Sequence, residues 1–151
     1  MVYKIVTKII LARLRSLLLG LVSSLQTAFM PSRKRVDNAI IVQEIIHSMS
    51  RKRGRGGSMA IKIYLEKAYD WLEWSFVRDT LSLFKIPIQL VTLIMSCISS
   101  SSISILFNGG ALEPFLSSRG LRQGDPLSPY LLILCMEVLG AFIADKCNSN
   151  H

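Results

Sequence analysis

Hydrophobic and polar residues change rhythm several times along the chain, and each change marks an element. Val6, Ile9, Ile10, Leu14, Leu17 and Leu18 recur at three- and four-residue spacing, with Lys4, Lys8 and Arg15 near one face. That pattern predicts a first helix from residue 3 to about 22. It is already under way at the first residues without an N-cap, as expected of a truncated beginning. A loop punctuated by Pro31 follows and ends in three bases, Arg33-Lys34-Arg35. Ile41, Val42, Ile45, Ile46 and Met49 then return to helical spacing, with Asp37 or Asn38 placed to cap the helix. At Met59–Asp70 the period switches to two. Met59, Ile61, Ile63 and Leu65 alternate with Ala60, Lys62, Tyr64 and Glu66, the pattern of a strand with one apolar and one polar face. The middle of the polar face carries a tyrosine, and Glu66, Tyr69 and Asp70 cluster where the strand must turn.

Beyond Trp71–Trp74 a helix capped by Ser75 is expected to reach about Phe84, and Pro87 suits the first turn of another over Pro87–Ile98. Ser102–Phe107 alternates again and meets Asn108-Gly109, the strongest short hairpin signal, with Ala111–Leu116 returning as partner strand. Pro114 places that partner at an edge. The run Arg119–Pro129 breaks every regular pattern and opens a long helix, with Ser128 as N-cap and Pro129 at the first helical position. From Tyr130 to about Asp145 the helix is apolar nearly all round, so it is expected to be buried. Its N-terminus beside Arg119 and Arg122 offers unpaired N–H groups and a positive dipole end to a phosphate. These elements add up to an α+β fold without internal repeat or clear domain boundary.

Composition narrows the function classes. Half of the 151 residues are hydrophobic and 19% are charged, enough for a real core and far from a disordered tail. A net charge of +8 and a pI near 9.8 favour a polyanionic partner. The loop Arg51-Lys52-Arg53-Gly54-Arg55-Gly56-Gly57 can follow a phosphate backbone, releasing counterions as it binds; a solvated surface loop fits the run equally well. Cys97, Cys135 and Cys147 show no CxxC spacing and read as small core residues in a reducing compartment. His47 and His151 are too scattered to nucleate a metal site. Cations interrupt the apolar N-terminus, which argues against a signal peptide. The uncharged run Ile86–Leu112 contains Pro87, four serines and Asn108-Gly109-Gly110, turn signals rather than a membrane span. The expectation is an intracellular protein, nuclear or cytoplasmic, with no membrane partner; the oligomeric state stays open.

Two longer strings carry a resemblance. RGLRQGDPLSPYLLILCMEVL at 119–139 is similar to motif B of non-LTR (LINE-type) retrotransposon reverse transcriptases, especially the copies abundant in plant genomes, and MAIKIYLEKAYDWLEWSF at 59–76 resembles their motif A. VYKIVTKIILARL at 2–14, QTAFMPSR at 26–33 and ISILFNG at 103–109 match in type and order. The resemblance implies one partial domain over 1–151: the fingers and palm of a right-hand polymerase, with an antiparallel palm sheet packed on helices. The implied activity is RNA-templated DNA synthesis, with RNA template and DNA primer as partners and magnesium as cofactor in intact members. Leu65, Ala68, Tyr69, Gln123 and Gly124 would be nucleotide-binding positions. Ala68 and Tyr69 would floor the nucleotide, Tyr69 under the sugar, while Gln123 and Gly124 border the pocket. Arg33, Arg51, Lys52, Arg53, Arg55, Arg119 and Arg122 would meet nucleic acid. Asp70 and Asp125 read as caps and turn formers rather than metal ligands.

The same resemblance argues against catalysis. The family's motif A opens with a metal-binding aspartate four residues before its alanine, and Tyr64 stands there. A two-metal site needs carboxylates to offset the cations' charge, and a neutral phenol supplies none. Glu66 shares the strand face, but the family already has a glutamate there beside its aspartate. No Tyr/Phe-x-Asp-Asp motif C, thumb, endonuclease or RNase H region occurs in these residues, and a palm sheet without the motif C hairpin leaves the motif A strand unpaired on one side. Ser32 and Trp71 also depart from the family's usual glycine and basic residue. With Tyr64, each departure is one nucleotide change away, as in a decaying element copy. The expectation is an enzyme by descent, with no intact catalytic residue, no metal site and no cofactor of its own. The alternatives are a non-catalytic basic nucleic-acid-binding remnant and a non-functional pseudogene product.

Overall fold

The computed structural model describes residues 2–30, 33–52 and 57–149. The chain divides into two compact units, one formed by Met1–Val22 with Lys67–His151 and the other by Ser23–Glu66.

The first unit is a helical core carrying a β-hairpin. It contains α1 (Val2–Leu21), α3 (Ala68–Trp71), α4 (Trp74–Leu83), α5 (Ile88–Ser99), β1 (Ser102–Ile103), β2 (Leu106–Phe107), β3 (Gly110–Ala111), β4 (Phe115–Leu116) and α6 (Ser128–Ser149). Helix α4 packs on α5 and α6, α1 packs on α5, and α3 on α6. Ile10, Leu14 and Leu18 of α1, Val77 and Leu81 of α4, Val91 and Ile94 of α5, and Leu131 and Leu134 of α6 close the core. Their spacing of three and four is the apolar stripe the sequence shows, so periodicity and packing agree. Thr80 Oγ1 lies 3.8 Å from Cys135 Sγ inside this core.

The hairpin matches its turn chemistry. Phe107 faces Gly110 and Leu106 faces Ala111 across Asn108-Gly109, whose φ values of 47° and 81° are both left-handed, the requirement of a type I′ turn. Farther out, Ser102 faces Leu116 and Ile103 faces Phe115. Between the two ladders Ser104–Ile105 opposes three residues, Leu112–Pro114, so the return strand carries an extra residue where proline cannot donate. The ladder therefore splits into two short antiparallel pairs. Helices with small antiparallel sheets make the fold α+β.

Several expectations need correction at their edges. Helix α4 starts one residue before Ser75, after Glu73, and no side chain caps it. Pro87 is the N-cap of α5 rather than its first helical residue. Ser128 opens α6 but does not cap it: its hydroxyl donates to the Arg122 carbonyl at 2.8 Å, and the Leu127 carbonyl accepts the first helical N–H groups. Helix α6 is buried only over its first half. Leu139, Phe142 and Ile143 are exposed because the helix runs past the elements that cover it. Cys147 lies in that exposed half, so only Cys97 and Cys135 are core residues.

The second unit contains α2 (Arg35–Arg51) and the two segments flanking it. Neither Asp37 nor Asn38 caps α2. Lys34 occupies the cap position without a side-chain bond, and Asn38 Nδ2 instead donates to the Leu25 carbonyl at 2.7 Å. The apolar positions Ile41, Val42, Ile45 and Ile46 form the expected helix but remain exposed. The largest correction concerns Met59–Leu65, which forms no strand. Residues 57–65 run without regular structure and every residue from 57 to 67 is exposed. Alternation sets the faces of a strand, but a strand also needs a ladder, and among the described residues none lies beside it. Among the described residues no helix is long and apolar enough to cross a membrane.

Replacing Leu134, fully buried in α6, with alanine leaves a cavity at the α4–α6 contact and should cost about 2–5 kcal/mol of stability, read by urea denaturation.

Candidate nucleotide and nucleic-acid site

The chemistry-bearing residues of the first unit gather where the loop before α6 meets α3. After Lys67, whose φ of 51° is left-handed, the chain turns once through Ala68–Trp71 and leaves two carbonyls pointing outward. The Gly120 N–H donates to the Leu72 carbonyl at 2.8 Å and the Leu121 N–H to the Tyr69 carbonyl at 2.7 Å. The indole of Trp74 donates to the Gly120 carbonyl at 2.8 Å. Three bonds thus clamp residues 120–121 onto 69–74, although the two stretches are about fifty residues apart. Gly120 is required there. Its φ is +87°, and a Cβ would sit 3.0 Å from the Asp70 carbonyl oxygen.

This clamp sets the side chains. Gln123 Nε2 approaches Asp70 Oδ1 at 3.4 Å. Tyr69, Gln123 and Gly124 line one cavity of about 480 Å³, together with Asp125, Pro126, Ser128 and Pro129 at the start of α6. Three of the five nucleotide positions expected from the sequence therefore share a pocket. Burial raises the Tyr69 phenol above its ordinary pKa, so the hydroxyl stays neutral in that setting. Ala68 lies one residue before the pocket, in the turn of α3. Leu65 belongs to the second unit, where it is exposed, as is Tyr64 at 83%.

A wider cleft of about 850 Å³ adjoins the same loop, reaching from Asp70 past the hairpin ends to Gln123. Arg119 and Arg122 line it among five serines. Neither arginine is uncommitted: Arg119 lies over the Trp71 ring at 4.1 Å and pairs with Glu73 at 3.6 Å, and Arg122 lies 5.4 Å from the Tyr3 ring. Both retain donors for an anion, since a stacked guanidinium keeps its edge free to bond.

Beneath the loop lies a polar group with no local sequence signal. Tyr3 of α1 reaches the Cys97 carbonyl at 3.3 Å and Asp125 Oδ2 at 3.5 Å. Asp125 is buried, and its Oδ1 has no hydrogen-bond partner among the described residues. Burial first, and the Asp125 charge second, push the Tyr3 phenol up to about 12. Asp125 thus ties the loop to α1, and Asp70 ties it to α3. Among the described residues no group of three His, Cys, Asp or Glu side chains is placed to hold a metal ion.

The remaining expected nucleic-acid contacts lie in the second unit. Arg33 turns back on its own loop, its Nη1 donating to the carbonyls of Ser23 and Gln26. Arg51 and Lys52 are exposed at the end of α2, and Arg53 and Arg55 lie outside the described residues.

Gly120→Ala should cost about 1–3 kcal/mol, read as a lower denaturation midpoint, because a left-handed φ and a Cβ contact both oppose it. Below about pH 10 the Tyr3 phenol is protonated in folded and unfolded chains alike; above it the unfolded chain ionises while the folded one holds its proton to about 12. Stability should therefore fall as pH rises through this window, and Tyr3→Phe should flatten the fall, as measured by thermal melts from pH 8 upward.

The reverse transcriptase (RNA-dependent DNA polymerase) family matches residues 1–151. The uncharacterized 149 kDa protein of transposon TX1 from Xenopus laevis is 31% identical over 136 residues, covering 89% of this chain and 10% of that protein. A retrovirus-related Pol polyprotein from a type-2 retrotransposable element of Drosophila melanogaster is 33% identical over 114 residues, covering 76% of this chain and 11% of that polyprotein. An uncharacterized mitochondrial protein of Arabidopsis thaliana is 65% identical over 34 residues, 22% of this chain and 28% of its own length. The chain thus spans about a tenth of the length of the two transposon proteins. No solved structure matches it. With its full length matched and its relatives drawn from non-LTR elements, the chain belongs to the reverse transcriptase family of non-LTR retrotransposons.

Proposed function

We propose that the chain is the fingers and palm portion of a LINE-type RNA-directed DNA polymerase and that it no longer catalyses synthesis. One observation supports the polymerase part most directly. Tyr69, Gln123 and Gly124, separated by over fifty residues, line one pocket at the start of α6. In this reading the pocket holds a nucleotide, with Tyr69 under the sugar and Ala68 beside it. Leu65, in the second unit, is assigned a nucleotide contact by the resemblance alone. Arg119 and Arg122 meet template or primer phosphates along the wider cleft; Arg33, Arg51, Lys52, Arg53 and Arg55 are assigned nucleic-acid contacts by the resemblance alone. The partners are an RNA template and a DNA primer.

The proposed loss of activity rests on donor chemistry at position 64. Magnesium takes hard oxygen ligands and, in a two-metal site, carboxylates that balance its charge. Tyr64 presents a neutral phenol, Asp70 is engaged by Gln123, and Asp125 is buried against Tyr3. These residues do not fit the ion pair that the family uses, so no catalytic step is assigned to them. A non-catalytic nucleic-acid-binding remnant is the second reading, favoured by the charge of +8 and by the exposed Arg51 and Lys52.

The purified chain should bind an RNA–DNA hybrid with an affinity that falls steeply as salt rises. Arg51→Ala with Lys52→Ala should reduce the log–log salt slope by about 1–2. With magnesium and all four deoxynucleotides it should extend no primer. Template-dependent extension would overturn the inactivity, and salt-independent binding would overturn the phosphate contacts.

A further inference from the structure

One side chain of α1 reaches both ends of the turn that borders the candidate pocket. Arg122–Asp125 is a four-residue turn: the Asp125 N–H donates to the Arg122 carbonyl at 3.4 Å, Gly124 in third position has a φ of +80°, and Gln123 before it is not left-handed. That combination is a type II turn. Its backbone is held from α6, whose Ser128 hydroxyl donates to the Arg122 carbonyl at 2.8 Å. Its two corner side chains are met from α1. The Arg122 guanidinium lies 5.4 Å from the centre of the Tyr3 ring, and the Tyr3 hydroxyl stands 3.5 Å from Asp125 Oδ2. Tyr3 is itself fixed from behind, because the same hydroxyl reaches the Cys97 carbonyl of α5 at 3.3 Å and α1 packs on α5.

The turn is the wall that the two cavities share. Gln123 lines both, Arg122 lines the wider cleft, and Gly124 and Asp125 line the smaller pocket, whereas Tyr3 is among the lining residues of neither. We propose that Tyr3 is a positioning residue for this turn, holding Arg122 at the cleft through its ring and Asp125 at the pocket through its hydroxyl, so that Gln123 between them keeps one place.

Each corner needs such a hold for its own reason. Asp125 is 5% exposed, and among the described residues Tyr3 is the hydrogen-bond partner of its carboxylate, with Oδ1 unpaired. A buried carboxylate depends heavily on the donor it does have. Arg122 is exposed, and a long side chain in water keeps many rotamers unless a ring face limits them. A phenol serves both corners because its face attracts a cation while its polar tip bonds a carboxylate. Phenylalanine would keep the first contact and lose the second; leucine would lose both. The consequence for ligands rests on the nucleotide and phosphate reading of the two cavities, and the positioning itself does not.

The test uses the full chain and reads the turn first without any ligand, as amide hydrogen exchange by NMR. Tyr3→Phe should speed exchange of the N–H at position 125 roughly tenfold, while the Leu121 N–H, bonded to the Tyr69 carbonyl, changes by less than about twofold. A residue that only stabilised the fold would move both alike. In an Asp125→Ala background Tyr3→Phe should change exchange at 125 no further, because the contact it removes is already absent. Ligand binding should then separate the two contacts. The log–log salt slope for a single-stranded DNA oligonucleotide should be unchanged by Tyr3→Phe and reduced by up to about 1 by Tyr3→Leu, the loss that Arg122→Ala gives. Both Tyr3 variants should weaken binding of a fluorescent deoxynucleoside triphosphate about five- to tenfold. Exchange that rises equally at 121 and 125, exchange that rises at neither, or a salt slope that does not separate Tyr3→Leu from Tyr3→Phe would overturn the proposal. Should Tyr3→Leu fail to fold, the exchange pattern of Tyr3→Phe decides alone. A wild-type chain that binds no nucleotide while that pattern holds supports the positioning and overturns the pocket reading instead.

Discussion

Two backbone hydrogen bonds, from Gly120 to Leu72 and from Leu121 to Tyr69, hold together what the first unit uses. They join a one-turn helix to a loop about fifty residues later, and the candidate pocket exists only while they do. Side-chain bonds could not substitute easily. The approach is so close that position 120 admits only glycine, whose Cβ-free backbone lies against the Asp70 carbonyl. The indole of Trp74 then takes the Gly120 carbonyl, so both peptide groups flanking this glycine are engaged. A buried backbone group left unpaired is costly, which makes the junction self-consistent rather than adjustable.

Behind the clamp stands α6. Its first half packs against α3 and α4, and Leu131 and Leu134, with Leu127 just before the helix, are all fully or nearly fully buried. A helix fixed this firmly presents its N-terminus and the preceding Gly124-Asp125-Pro126 turn at a set place. Asp125 adds a polar tie to Tyr3, at the first turn of α1. The pocket is thus held by α1, α3 and α6 at once, and residues far apart in sequence share a single rigid support.

The segment before Lys67 follows a different rule. Met59–Leu65 has strand-forming side chains but, among the described residues, no ladder, and its residues are exposed. In a helix every hydrogen bond closes within the segment, whereas a strand must find its partner elsewhere. That asymmetry explains why each helix expected from periodicity formed, including α2 with its uncovered apolar positions, while the most regular alternation in the chain did not become a strand.

The sequence by itself determined the local features: the helical spans, the Asn108-Gly109 hairpin, the Pro-rich opening of α6, and the family, through the motif strings at 59–76 and 119–139. These are short-range, set by side-chain period, turn chemistry and fixed spacing. The grouping of Tyr69 with Gln123 and Gly124 was legible only through the resemblance to a known family; nothing in local spacing predicts it. The Tyr3–Asp125 contact, the clamp at Gly120, the inward turn of Arg33 and the one-residue shift at Ser128 were not legible. Only the tertiary structure decided them, because each depends on which distant backbone or carboxylate comes within reach of a hydrogen bond. The same holds for burial. An apolar stripe states what a helix can bury, and only the surrounding elements decide that α6 is covered to Val138 and bare beyond it.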